Sequence, residues 1–164
     1  MVNIVLNFVL ITSITVYGCE QNWKSFNHHC YALVERPEPW HAAMEYCNAF
    51  SAALVVIDDH DEFTFLQDTL RAHHRAHDTS QPIIEYWTAG NDIINEGHWV
   101  WAPNSEPMEF KPWAPGEPNR DIHDRDDCAG LYNNEDFLMN DDNCDESRFF
   151  ICEHEEKPNG EVVG

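Results

Sequence analysis

The chain has 164 residues, with 30 acidic against 9 basic side chains and a formal net charge of −21. That balance excludes nucleic-acid binding, which needs lysine and arginine to displace phosphate counterions, and it disfavours anionic membrane surfaces. Most of the acidic excess is solvated surface, yet the runs Asp58-Asp59-His60-Asp61-Glu62 and Asp121 to Asp127 have the chemistry to attract divalent cations.

The stretch from Ile4 to Val16 is apolar but too short to span a bilayer, and Asn3 and Asn7 break the alternation a buried strand needs. Residues 1–18 therefore read as a secretory signal removed after Gly18, although no basic residue stands near the start. The rest, residues 19–164, is the size of one extracellular domain with one core. Cys19, Cys30, Cys47, Cys128, Cys144 and Cys152 form an even set suited to three disulfides in an oxidising compartment, with 15 pairings open on count alone. None of them has the spacing of a structural zinc site. No Asn-x-Ser/Thr acceptor for N-glycosylation occurs.

Cys19 to Tyr31 is a short aromatic segment carrying Trp23, Phe26 and Tyr31. Pro37 and Pro39 lead into a helix with Trp40, Ala43, Met44, Cys47 and Phe50 at helical spacing. Leu54 to Ile57 is an apolar, β-branched run that suits a strand. A second helix follows, capped by Asp59 with Glu62 three residues on, and with Phe63, Leu66 and Leu70 on one face. His73 and His77 lie one turn apart at its end; a solvated helix terminus, where basic groups complement the dipole, explains them better than a metal pair. Trp87-Thr-Ala-Gly90, His98-Trp-Val-Trp101, Cys128 to Tyr132 and Arg148 to Cys152 read as strands. Pro103, Pro107, Pro112, Pro115 and Pro118 punctuate a long irregular region between them, and a loop of that length in a small domain points to function. The tail, residues 155–164, is polar and reads as disordered.

Trp87-Thr-Ala-Gly90, Trp99-Val-Trp101, Trp113-Ala-Pro-Gly-Glu-Pro-Asn119, Met139-Asn-Asp141 and the cysteine spacing together resemble the C-type lectin domain over residues 19–154. The resemblance implies an α+β fold of two helices, small antiparallel sheets and a long calcium-binding loop region. It implies the pairs Cys47–Cys152, Cys128–Cys144 and Cys19–Cys30, the last being the mark of the long form. It places the principal calcium site on Glu117, Asn119, Asp126, Asn140 and Asp141, with the peptide before Pro118 in cis. The chemistry agrees: three carboxylates nearly neutralise Ca2+, two amide oxygens add no charge, and positions remain for a ligand. A second calcium site would fall on Asp92, Glu96, Asp126 and Asp127, although Arg120 stands where a carboxylate often completes it and Asp121 is the nearest substitute.

In the family two neighbouring sugar hydroxyls coordinate the ion, receiving hydrogen bonds from Asn119 and Asn140 and giving them to Glu117 and Asp126. The Glu-Pro-Asn order resembles members that prefer mannose, glucose, N-acetylglucosamine and fucose; galactose binders carry Gln-Pro-Asp. Three departures bear on affinity: a longer Asn119–Asp126 segment, Asp126 in place of glutamate, and Met139 in place of the motif tryptophan. The leading expectation is a secreted lectin for mannose-type glycans, foreign or self, with a non-covalent homo-oligomer left open. The alternative is an acidic structural protein on the same fold that binds mineral or ice. No Ser/His/Asp spacing, phosphate loop or His-Glu-x-x-His helix suggests an enzyme, and His123 reads as a specificity contact or plain surface.

Overall fold

The computed structural model describes residues 16–74, 84–119 and 125–159. His77, Arg120, Asp121 and His123 lie outside them. The strands are β1 (Val16–Gly18), β2 (Lys24–Phe26), β3 (His29–Glu38), β4 (Ala53–Leu54), β5 (Glu85–Asn91), β6 (Val100–Trp101), β7 (Glu106–Pro107), β8 (Cys128–Tyr132), β9 (Leu138–Asp142), β10 (Arg148–Glu155) and β11 (Lys157–Asn159). The helices are α1 (Trp40–Ala49) and α2 (His60–His73), with one 3-10 turn at Asn133–Glu135.

Nine strands form one sheet along the path β2-β3-β10-β5-β6-β7, with β4 on β10 and β8 joining β5 to β9. The ladders are antiparallel except where β10 runs parallel to β5, at Phe149↔Tyr86 and Phe150↔Trp87. A separate ribbon pairs β1 with β11. Thus Lys157–Asn159, expected in a disordered tail, form a strand whose partner, Val16–Gly18, belongs to the expected leader.

Helix α2 starts as its sequence dictates: Asp59 Oδ1 accepts the Asp61 and Glu62 N–H groups, each at 2.9 Å. Glu62 does not complete a capping box at Asp59. Its carboxylate turns inward, accepting the Asp58 N–H at 2.9 Å and the Tyr31 hydroxyl at 2.6 Å. Phe63, Leu66 and Leu70 are buried, as are Trp40, Ala43 and Cys47 on α1. Of the run Leu54–Ile57 only Leu54 lies in a ladder, within β4; Val55 still donates to Ile151 O and accepts from Ala89 N–H.

Trp87 and Trp40 are buried, and both indole N–H groups find carbonyls: Trp40 on Thr88 (2.8 Å), Trp87 on Glu38 (3.1 Å). The three disulfides are Cys19–Cys30, Cys47–Cys152 and Cys128–Cys144, the pairing the family resemblance implies. Cys47–Cys152 ties α1 to β10 across 105 residues, a closure worth about 4–5 kcal/mol in the chain-entropy picture. Cys128–Cys144 anchors the β8–β9 pair, and Cys144 O accepts the first N–H of α1 at 3.0 Å. The sheet thereby holds a rigid floor under the irregular region.

Candidate functional site

The loop that carries Glu117 is clamped to that floor. Ala114 N–H donates to Met139 O at 2.8 Å, and Met139 N–H to Pro112 O at 2.9 Å. Met139 itself is fully buried, and the Trp113 ring meets Trp99 edge-on at 4.7 Å. A tight turn then closes between Ala114 and Glu117 (2.9 Å), with Gly116 at φ 97°, a left-handed conformation that suits glycine. The Glu117–Pro118 peptide is cis, and so is Ala102–Pro103.

This geometry brings three of the five expected ligands into contact. Asn119 N–H donates to Glu117 Oε2 (2.9 Å) and to Asp141 Oδ1 (3.0 Å), and the Asn119 side-chain amide also donates to Glu117. Asp141 is only 5% exposed. Burial pushes its carboxyl up to about 8; hydrogen bonding with the Glu117 carboxyl adds to the rise and the Asn119 N–H opposes it. Two acids close enough to share a proton fit a divalent cation, which would replace that proton between them.

Asn140 and Asp141 sit in β9, opposite Gly130 and Ala129 of β8, and not in a loop as expected of binding residues. Asn140 is held from below: its Nδ2 donates to Glu85 Oε1 at 3.3 Å and to Asp141 O at 2.8 Å. Both amide protons are committed, so Oδ1 is the atom it has to offer. Asp126 and Asp127, half-buried, lead directly into β8.

Three of the four residues expected of a second cation group also converge, Asp126 not among them. Carboxylate oxygens of Asp92, Glu96 and Asp127 lie within 4.8 Å of one another. Asp92 N–H donates to Asp127 O at 3.1 Å, which fixes the two segments together. Asp92 Oδ2 accepts the Gly97 N–H at 2.7 Å, and its Oδ1 is buried beside the other acids. Three oxygens so close repel unless protonated or bridged by a cation.

A model of the lectin C-type domain matches residues 36–154. The chain belongs to the C-type lectin domain family. It is 32% identical to the CD209 antigen-like protein D of Mus musculus over 136 residues, covering 82% of this chain and 51% of that protein. The chain thus spans about half the length of that relative. The mouse scavenger receptor C-type lectin carbohydrate-recognition domain superposes with a TM-score of 0.74 at 29% identity, covering 85% of this chain and all of that one. A calcium-independent type II antifreeze protein, at 20% identity and a TM-score of 0.69, covers 87% of this chain and 98% of that one and shares the fold. This C-type lectin domain is accordingly a carbohydrate-binding module in class.

Sequence reasoning did not find the support beneath Asn140. Glu85 is 3% exposed, and its Oε2 takes the Arg148 Nε–H at 3.0 Å, while Arg148 also pairs with Asp142. Burial and the Asp142 charge push Glu85 up to about 8 against the pull of Arg148. Gly130 leaves the room for it: a Cβ there would sit 2.6 Å from Glu85 Oε1. The available signal was a lone charged residue opening an otherwise uncharged strand, with one of only 9 basic residues opening another.

Proposed function

We propose that this C-type lectin domain is a secreted, calcium-dependent binder of mannose-type sugars, with Ca2+ held by Glu117, Asn119, Asp126, Asn140 and Asp141. The observation that carries this reading is the contact of Glu117, Asn119 and Asp141 around one point, with the Asp141 carboxyl holding its proton far above the ordinary range. When bound, the ion supplies the positive charge that ionises these acids and open positions for two neighbouring hydroxyls. Glu117 and Asp126 then accept from the hydroxyls, and the Asn119 amide donates to one of them. Asn140 contributes Oδ1, its nitrogen being committed to Glu85 and the Asp141 carbonyl. Asp92, Glu96 and Asp127 hold a second ion that ties the Asn91–Gly97 segment to the strand β8.

Secretion is supported by the apolar Ile4–Val16 stretch and by three disulfides, which persist in oxidising compartments. Among the described residues no helix is long and apolar enough to cross a membrane. The net charge of −21 keeps a mineral- or ice-binding role as the second reading.

One experiment separates the two. The lectin is retained on mannose-agarose with calcium and released by a chelator; a structural protein passes through. The double variant Glu117→Gln, Asn119→Asp reverses the donor and acceptor order around the two hydroxyls and shifts inhibition from free mannose toward galactose, at a cost of about 1–3 kcal/mol for mannose. An unchanged mannose preference shows that Glu117-Pro118-Asn119 does not set specificity.

A further inference from the structure

Glu35 of β3, His73 at the end of α2 and His74 just beyond it place one carboxylate oxygen and two imidazole nitrogens within 4.8 Å of one another. They share no residue with the two acidic groups described above. Glu35 Oε1 is 3.2 Å from His73 Nε2 and 3.8 Å from His74 Nε2. Ligands about 2.1 Å from a tetrahedral metal stand about 3.4 Å apart, so Glu35 already lies near that spacing from both imidazoles.

The juxtaposition depends on where α2 stops. Consecutive helical residues point away from each other. His74 leaves the helix at φ −108°, ψ 137°, which turns its ring back until the two imidazoles meet edge-on at 4.6 Å. Its backbone N–H still closes on Leu70 O, and its ring packs against Tyr86 (5.6 Å) and Phe137 (6.2 Å). One ligand is thus locked by the core, while His73 and Glu35, each about half exposed, leave a path from solvent. His74 Nε2 is now hydrogen-bonded to the Tyr86 hydroxyl, a partner that a metal at that nitrogen would displace.

We propose that Glu35, His73 and His74 form a site for a divalent transition-metal cation of the zinc type, with a fourth position open to water. Two imidazoles and one carboxylate suit such an ion, whereas Ca2+ takes six to eight oxygens. The metal would fasten the C-terminal end of α2 to β3.

The test is a calorimetric zinc titration of the disulfide-intact chain in excess calcium. One equivalent is expected to bind, and Glu35→Gln and His73→Gln each weaken it by at least about tenfold. His28→Gln, at a ring 91% exposed, and His77→Gln leave it unchanged. Cobalt reports the coordination: a strong visible absorption in the parent chain, lost in both ligand variants. Thermal melts without metal check that the variants fold. Absence of a zinc isotherm, or full affinity in both ligand variants, overturns the site. Loss on His77→Gln with Glu35→Gln unaffected also overturns it, in favour of a helical His73–His77 pair.

Discussion

Carboxylates gather at both ends of β10, in opposite company. Towards its C-terminal end, Glu153 accepts the Val56 N–H at 2.9 Å and meets His29 at 2.7 Å, while nearby Glu62 takes the Tyr31 hydroxyl and the Asp58 N–H. Beyond its N-terminal end, Asp141 faces Glu117, and just after β5 Asp92, Glu96 and Asp127 come together. Burial raises the proton affinity of Glu62, Glu153 and Asp141 alike. What differs is the counterpart. Where the chain supplies donors, a buried acid becomes a connector between β3, α2 and β10; where it supplies more acids, the proposed calcium would be the counterpart.

The contrast is broken most severely at Asp141. Asp141→Ala is expected to abolish calcium-dependent retention on mannose-agarose while circular dichroism and the three disulfides stay unchanged, because β9 keeps its ladder to β8. Retention that survives the substitution removes Asp141 from the site. Protons should do the same reversibly. With the Asp141 carboxyl pushed up to about 8, each pH unit below that costs up to about tenfold in apparent calcium affinity, so calorimetry at pH 7.5 and 5.0 should differ by about 200-fold. Equal affinities at the two pH values contradict the assignment.

Without calcium the sign reverses. Glu62, Glu153 and Asp141 have folded-state proton affinities above their unfolded ones, so the folded chain holds protons that the unfolded chain releases above about pH 4. Their contribution to stability is present at low pH and is lost as pH rises through the folded values. Urea unfolding in chelator should therefore show a more stable chain at pH 5 than at pH 8, with calcium narrowing or inverting the gap. The smallest effect belongs to the connector end: Tyr31→Phe deletes one hydrogen bond to Glu62 and should cost about 1–2 kcal/mol, with calcium affinity unmoved. A change in calcium affinity in that variant would join two regions that the comparison keeps apart.

The helices were legible because their signals are local. Asp59 caps α2 two and three residues ahead, and Phe63, Leu66 and Leu70 repeat on one face. The strands β3 and β9 were not. The outer half of β3 reads Glu35-Arg36-Pro37-Glu38, and β9 contains Asn140, Asp141 and Asp142, residues with poor strand propensity. Pairing with β10 and β8, the Cys128–Cys144 bridge and the burial of Met139 override that propensity. Glu117, Asn119 and Asp141 were legible as a motif with a fixed spacing. Glu85 was not, since its partner Asn140 stands 55 residues away and only the fold joins them.

The position of β11 at the end of β10 has a consequence for display. Arg148, where β10 begins, touches the Glu85 that supports Asn140; Glu155, where it ends, pairs with His29 and runs on toward β11. Eight residues of strand span about 23 Å. The chain that runs on into β11 therefore leaves the body at the pole away from the proposed sugar site. A tether, a surface or a second copy attached at that pole leaves the pocket facing outward, and linked copies would gain avidity according to the reach of their joints, with no change to any contact in the pocket.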